Sequence, residues 1–204
     1  MSTRKISSAD LNKLHYKSQR RKDPDAFMRK RLAGSDFELK SVKRGIAQFK
    51  HSDGSTHVAV KGTDPTNIKD LISDVKLGLG FGGTDKQFKR RRNQLKDIAR
   101  ETEGPLYLTG HSLGSSIVTK AMASSKGLRD KVTKADLYNT GYSPAFHKEV
   151  SQGLTPSDKG QLKKKITHHH VKSDPLSAAL TFGAVGKVKM YDGEGIDKHT
   201  IDNF

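Results

Sequence analysis

Short β-prone runs, of which residues 106–109 are apolar, occur along the chain between longer segments whose apolar residues recur at helical spacing. The short runs predict strands at residues 42–49, 56–61, 106–109, 135–139, 166–172 and 185–191. The longest helix is predicted at residues 84–100, where Phe88 and Leu95 share the apolar face and Arg91 belongs to the basic residues assigned mostly to the other. This order of elements predicts an α/β fold with a mostly parallel central sheet and helices on both faces.

The first part of the chain is rich in basic residues. Residues 1–40 are predicted to form a basic, partly helical N-terminal arm, and residues 41–204 a single α/β domain. Ser8 is the expected cap of a first helix, and Asp23 with Pro24 separates it from a second short helix. Farther on, turn-forming residues at 51–55 predict a hairpin between the first two strands.

A Gly-x-Ser-x-Gly sequence at residues 110–114 stands directly between a predicted strand and a predicted helix. Such a match arises by chance in roughly one chain in six of this composition, so its weight comes from the flanking elements. A serine on so sharp a turn needs neighbours without a Cβ, which Gly110 and Gly114 supply. The turn is expected to expose Ser112 to substrate, with the positive end of the helix behind it. Ser112 is thus the predicted nucleophile of a serine ester hydrolase.

A serine nucleophile needs a base within hydrogen-bond reach and an acid that orients that base. Asp174 follows the strand predicted at residues 166–172, and His199 lies in the final loop. The two residues therefore follow Ser112 in the chain order Ser, Asp, His that an α/β-hydrolase requires. We expect Asp174 and His199 to complete a catalytic triad.

Several segments resemble, in the right order, those of class 3 lipases, the α/β-hydrolases that include fungal triacylglycerol lipases, plant phospholipases of the A1 type and viral relatives. They are an oxyanion strand at residues 59–63, an Asp-Leu-Ile-Ser-Asp segment at 70–74, the serine turn at 108–114, and acid and base segments at 173–176 and 199–204. The resemblance begins near residue 46 and gives Ser112, Asp174 and His199 the roles of nucleophile, acid and general base. It implies an α/β-hydrolase-like fold, a role in lipid metabolism and no cofactor, with a viral member as one expectation.

The same resemblance implies an oxyanion hole beside the serine. It assigns the two donors to the backbone amides of Thr63 and Leu113, with Gly62 allowing the chain to come close. Lys61 and Ser115 depart from the residues usual at their positions. Neither change removes a catalytic atom.

Two other segments suggest function. Residues 64–83 combine apolar side chains with glycines, which fits a mobile cover over an apolar site or, equally, a buried glycine-rich connection. Residues 168–170 are three histidines, of which only His168 and His170 share a face of a strand. Because no carboxylate stands at ligand spacing, strand packing is expected there rather than a metal site.

The formal net charge of +16 implies anionic partners. The expected partner is a lipid or membrane interface of anionic character. The alternative is a nucleic acid or other polyanion, with the lipase-like fold serving as a basic packaging module that has little or no catalysis. The chain has no stretch typical of a signal peptide or membrane span, so a cytoplasmic or virion-associated location is expected rather than classical secretion. It has no cysteine, which leaves the redox compartment open. A triacylglycerol, a phospholipid and a smaller ester remain open as acyl substrates.

Overall fold

The core of the fold is a seven-stranded sheet whose strands follow one another in chain order. A computed structural model describes residues 4–62, 85–141, 143–172, 174, 184–192 and 201–204. The strands are β1 (Phe37–Lys43), β2 (Ile46–His51), β3 (Thr56–Val60), β4 (Leu106–His111), β5 (Val132–Tyr138), β6 (Ile166–Val171) and β7 (Lys187–Tyr191). The first three pair antiparallel, and the pairs from β3 to β7 are parallel.

Seven helices cover the two faces of the sheet within the described residues. They are α1 (Ser8–Ser18), α2 (Pro24–Leu32), α3 (Asp85–Glu101), α4 (Leu113–Ser124), α5 (Lys126–Lys131), α6 (Pro144–Ser151) and α7 (Pro156–Lys165), followed by a 3-10 turn at Ile201–Asn203. Leu11 of α1 and the apolar residues of α2 belong to one buried cluster, those of α3 to α7 to another, and Ala9 of α1 to a small third cluster. The predicted α/β architecture is therefore confirmed. No helix in the described ranges is long and apolar enough to cross a membrane.

The alternation of side chains along the strands supplies both clusters. On β3, Val58 and Val60 pack with the α3 and α4 side, whereas Ala59 packs with the N-terminal helices. Full burial of one aliphatic side chain is worth about 1.5–3 kcal/mol, so a strand that is apolar on both faces holds two layers of helices.

The basic N-terminal segment is packed on the sheet. Leu11 of α1 and Met28 of α2 are fully buried in one cluster with Phe49 and Ala59. A capping box starts α1 at Ser7, where the hydroxyl accepts from the Asp10 N–H, so the prediction of Ser8 as the cap is wrong by one residue. The boundary at residue 40 stays a prediction.

The strand predicted at residues 42–49 covers the end of β1, a turn and most of β2. The chain reverses between β1 and β2 at Arg44 and Gly45, which have φ of 54° and 79°. Two consecutive residues with positive φ are what a tight hairpin requires, and this one lies in the middle of the predicted run. Two short helices, α5 and α6, are also absent from the prediction. The hairpin between β2 and β3 is confirmed.

Candidate active site

Ser112 stands on the sharp turn between β4 and α4. Its backbone has φ of 54° and ψ of −126°, outside the regions that residues with a Cβ ordinarily occupy. Strain of this kind costs on the order of 1–3 kcal/mol and persists only where the surroundings enforce it. The Ser112 N–H donates to the Tyr138 carbonyl at 2.9 Å, and the Ser112 carbonyl accepts from the Ser115 N–H at 3.0 Å. This is the strand, turn and helix geometry of a nucleophile elbow.

Two glycines give the backbone room at the elbow. A Cβ on Gly110 would lie 2.8 Å from the Ser115 nitrogen and 2.9 Å from the Gly114 carbonyl carbon. A Cβ on Gly114 would overlap the Val60 carbonyl oxygen and lie 2.9 Å from the Lys61 carbonyl carbon. A larger residue at either position therefore forces strand and helix apart.

The Leu113 N–H is the described half of the predicted oxyanion hole. Leu113 is the first residue of α4, where N–H groups have no intrahelical acceptor, and among the described residues its N–H donates to no partner. Gly62 lies against it, since a Cβ there would be 3.1 Å from the Leu113 nitrogen and 2.6 Å from the His111 carbonyl oxygen. Thr63, the predicted second donor, and the cover predicted at 64–83 lie outside the described residues.

The peptide joining Lys61 to Gly62 is held from both faces of the sheet. On the α1 side, the Gly62 N–H donates to the Tyr16 hydroxyl at 2.7 Å. On the α3 side, Arg91 donates from Nη1 to the Lys61 carbonyl at 2.6 Å and from Nε to the Arg44 carbonyl at 3.2 Å. The backbone that leaves β3 is thus fixed beside the elbow.

Sequence reasoning missed Tyr16 and Arg91. The assignment of Arg91 to the basic face is wrong, because its side chain is 5 % exposed, and burial lowers its pKa. A signal was present: Arg91 stands three residues after Phe88 and four before Leu95, on the buried stripe of α3. Tyr16 carries no local signal that connects it to Gly62, 46 residues later.

Ser112 is only 2 % exposed, so the predicted exposure of this serine is wrong. The loop after β5 packs beside it: Asn139 and Thr140 are fully buried, and the Ser116 hydroxyl donates to the Gly141 carbonyl at 2.7 Å. In this structure the serine lies beneath the surface. A reaction of Ser112 with a molecule from solution needs a more open arrangement around this residue.

Asp174 lies at the same edge of the sheet as Ser112. It follows β6 by three residues, its N–H donates to the Val171 carbonyl at 3.1 Å, and it is 2 % exposed. Because β4, β5 and β6 are parallel neighbours, their carboxyl ends lie side by side. Ser112 and Asp174 are therefore brought to one edge, two strands apart.

His199 lies outside the described residues, and the described chain resumes at Ile201. Ile201 is buried in one cluster with Tyr138, and the Phe204 ring lies 4.9 Å from the Tyr138 ring. Tyr138 is the residue whose carbonyl accepts the Ser112 N–H. The C-terminal residues thus pack directly behind the elbow.

The histidines of β6 are held by hydrogen bonds. The Nε2 atom of His168 lies 3.0 Å from the Val185 carbonyl oxygen. Because a carbonyl oxygen can only accept, Nε2 carries the proton. The other ring nitrogen, Nδ1, therefore accepts from the Thr140 hydroxyl at 2.8 Å. Burial lowers the pKa of His168 to about 4. On the opposite face, His169 meets the Asp136 carboxylate at 2.9 Å. In the part of the chain that the structure describes, no three His, Asp or Glu side chains are grouped to hold a metal ion.

Comparison with solved structures relates this fold to a lipase. The chain matches the crystal structure of M37 lipase with a TM-score of 0.54, over 82 % of this chain and 68 % of that one, at 12 % sequence identity. At this identity the match shows the fold, which is α/β-hydrolase-like as predicted. No family model matches the sequence, and no curated protein does. Membership of the class 3 family and a viral origin stay predictions.

Proposed function

We propose that this protein is a serine ester hydrolase of the class 3 lipase type that cleaves the acyl esters of lipids. The observation that carries the proposal is the strained backbone of Ser112 on the turn between β4 and α4. A serine that merely joins a strand to a helix needs no positive φ, whereas a nucleophile aimed out of the turn does. The lipase fold of the structural neighbour supports lipid esters as the substrate class.

The separation of Ser112 and Asp174 supports a triad with one histidine between them. Neighbouring strands lie about 4.8 Å apart, so the ends of β4 and β6 are about 10 Å apart. One imidazole ring with a hydrogen bond on each side spans about 8 Å between heavy atoms, which suits this gap. We assign the place to His199, which precedes the buried Ile201 by two residues.

In the proposed reaction, the Ser112 hydroxyl oxygen attacks the acyl carbon while its proton passes to His199. The acyl oxygen becomes an oxyanion, stabilised by the N–H groups of Leu113 and Thr63, each worth about 3 kcal/mol. His199 gives its proton to the departing alcohol, which leaves an acyl-serine. Water then hydrolyses the acyl-serine with His199 again as base, releasing the carboxylic acid and restoring Ser112.

A fluorophosphonate probe tests the proposal, because only an activated serine attacks phosphorus at a useful rate. We expect mass spectrometry to find the adduct on Ser112. Labelling and hydrolysis of a chromogenic ester should both vanish in Ser112→Ala and His199→Ala. Asp174→Asn should fold normally and lose roughly 10⁴-fold in turnover, because it favours the wrong tautomer of His199.

Ser124→Ala is the matched control, since Ser124 is an exposed serine at the end of α4. This variant should label and hydrolyse ester like the unchanged protein. An adduct on another serine, or labelling that persists without His199, contradicts the triad. Salt-sensitive binding to nucleic acid with no ester hydrolysis supports the packaging module instead.

A further inference from the structure

A groove between α1 and α2 is lined mainly by cationic side chains. It has a volume of about 420 Å³ and includes the residues that lead into α1. On α1 it takes in Asp10, Lys13, Leu14 and Lys17. The spacing puts the three charged residues on the side of the helix away from the buried Leu11, whereas Leu14 is one turn from Leu11 and packs against the same cluster. Its cations are Arg4, Lys5, Lys13, Lys17, Arg21 and Arg31.

The negative charge in the groove does not balance these cations. Among the described residues that line the groove, Asp10 is the one carboxylate, and it already accepts from the Ser7 N–H at 2.9 Å and the Ser7 hydroxyl at 2.7 Å. Lys17 has a distant partner, the Asp202 carboxylate at 3.9 Å. Among the described residues, no ion pair within 4 Å involves the other five cations. So many like charges repel one another, and a bound anion relieves that repulsion.

The groove also has an apolar part, formed by Ile6, Leu14 and Phe27. The guanidinium carbons of Arg21 and Arg31 lie 5.0 Å and 5.6 Å from the centre of the Phe27 ring. Guanidinium groups match phosphate oxygens in a two-pronged fork. Because two cations already cover the Phe27 ring, this ring is a poor stacking platform for a nucleic-acid base.

We propose that this groove binds the phosphate of an anionic phospholipid headgroup and holds the protein on a lipid surface. The lysines and arginines contact the phosphate oxygens, and the apolar side chains face the glycerol and the first methylene groups. The choice of a lipid rests on the proposed hydrolase function. The binding itself involves no catalytic residue, so it is measurable without turnover.

The test is sedimentation with phosphatidylcholine vesicles that contain phosphatidic acid, using Ser112→Ala protein so that no lipid is consumed. Lys13→Glu combined with Arg31→Glu reverses two groove charges. Lys86→Glu combined with Arg90→Glu makes the same change in net charge on exposed residues of α3. At about 1 kcal/mol per cation, we expect the groove variant to bind at least about 30-fold more weakly and the control within a fewfold of the parent.

Circular dichroism establishes that both variants fold. If the charge reversal unfolds the chain, the double variant Arg21→Gln with Arg31→Gln is used instead. It changes neither Ser7 nor Asp23, the residues that cap the N-termini of α1 and α2. A second set of vesicles takes its negative charge from a fatty-acid carboxylate and has the same surface potential. The protein should bind these vesicles more weakly than those with phosphatidic acid. Glycerophosphate should compete only weakly.

If the groove variant and the control variant lose vesicle binding equally, the groove is not a specific site, since surface charge alone then explains the binding. Equal binding to carboxylate and phosphatidic acid vesicles overturns the phosphate preference. Strong competition by glycerophosphate makes a free phosphate compound the ligand. Binding to single-stranded RNA that the groove variant loses, without vesicle binding, makes the groove a nucleic-acid site. Vesicle binding by a protein that hydrolyses no ester leaves the site standing and overturns only the proposed function.

Discussion

The Tyr16 hydroxyl connects the N-terminal helix to the backbone beside the elbow. It accepts the Gly62 N–H at 2.7 Å and lies 3.3 Å from Nδ1 of His111. Because the hydroxyl oxygen accepts from Gly62, its own proton can be donated to His111, which makes Nδ1 the acceptor. The Lys61 ammonium lies 5.7 Å from the centre of the Tyr16 ring. One side chain thus organises the end of β3.

Tyr16→Phe tests this arrangement because it keeps the ring and removes the acceptor of the Gly62 N–H. A buried donor left without a partner costs about 1–3 kcal/mol, and we expect urea unfolding to show a loss of that size. We also expect kcat for a soluble ester to fall more than KM changes, as loss of transition-state stabilisation requires. Tyr107→Phe is the control, since the Tyr107 hydroxyl makes no hydrogen bond in the described structure. Unchanged kcat with reduced stability shows that Tyr16 does not position the proposed oxyanion hole.

Two helical glycines form a matched pair for stability measurements. A Cβ on Gly114 would overlap the Val60 carbonyl oxygen, whereas a Cβ on Gly160 meets nothing within 4 Å. Gly114→Ala should therefore destabilise by about 1–3 kcal/mol or more, as overpacking does. Gly160→Ala should stabilise α7 by about 0.5–1 kcal/mol. Thermal unfolding of both variants checks the opposite signs, and a Gly114→Ala protein as stable as its parent contradicts the close packing of β3 and α4.

At the scale of secondary-structure elements, α1 is held on the sheet by a fully buried leucine. Leu11 packs in one cluster with Met28 and Phe49. Leu11→Ala should lower the free energy of unfolding by about 2–5 kcal/mol in urea, whereas Lys17→Ala, exposed on the same helix, should change it by less than about 0.5 kcal/mol. Because α1 also carries Tyr16, ester hydrolysis should fall as well. A leucine variant as stable as the parent shows that α1 is not part of the cooperative fold.

Elements with a strong local pattern are predictable from the sequence. The helix α3 and the strand β6 lie within one residue of their predicted bounds. A helical stripe marks α3, and a short run that begins and ends with β-branched residues, just before the turn-forming residues 173–175, marks β6. The turn at Arg44 and Gly45 is missed because an Arg-Gly pair is not a recognised hairpin signal. The positive φ values at this turn are seen only in the folded backbone and are not marked in the sequence.

Within the candidate site, too, the features encoded in one short segment are predictable from the sequence, and the contacts between distant segments are not. The elbow is predictable because Gly110, Ser112 and Gly114 stand in one short segment between a strand and a helix. The Tyr16 contact joins residues that are distant in the chain, and no local pattern encodes such a contact. The burial of Ser112 depends on neighbouring loops, so it also escapes local reasoning.

At the scale of the whole molecule, buried histidines link stability to pH. Burial lowers the pKa of His15 to about 3, and the pKa values of His57 and His168 to about 4. In the unfolded chain these side chains titrate near about 6.5. Between about pH 6.5 and 4 the unfolded state therefore binds protons that the folded state does not. The stability that comes from keeping these histidines neutral is fully present above about pH 6.5. The free energy of unfolding falls as the pH drops from about 6.5 to 4.

Urea unfolding at intervals from about pH 7 to 4.5 measures this dependence. Each histidine contributes a slope of up to about 1.4 kcal/mol per pH unit, and the half-buried His57 contributes less than the other two. His15→Leu fills a similar volume and cannot titrate, so its profile should be flatter than that of the parent. Parallel profiles for the two proteins contradict a neutral, buried His15.

The order in which the chain is made differs from the order in which its parts meet. The Asn12 amide on α1 donates to the Thr109 hydroxyl on β4, 97 residues later. At about 5–20 residues per second, a ribosome takes on the order of 5 to 20 s to make that stretch. During this interval α1 can pack against Met28, Phe49 and Ala59, which are made before β4, but it has no β4 to dock on. The docking of α1 on the sheet is therefore completed only when the strand that leads to Ser112 has been made.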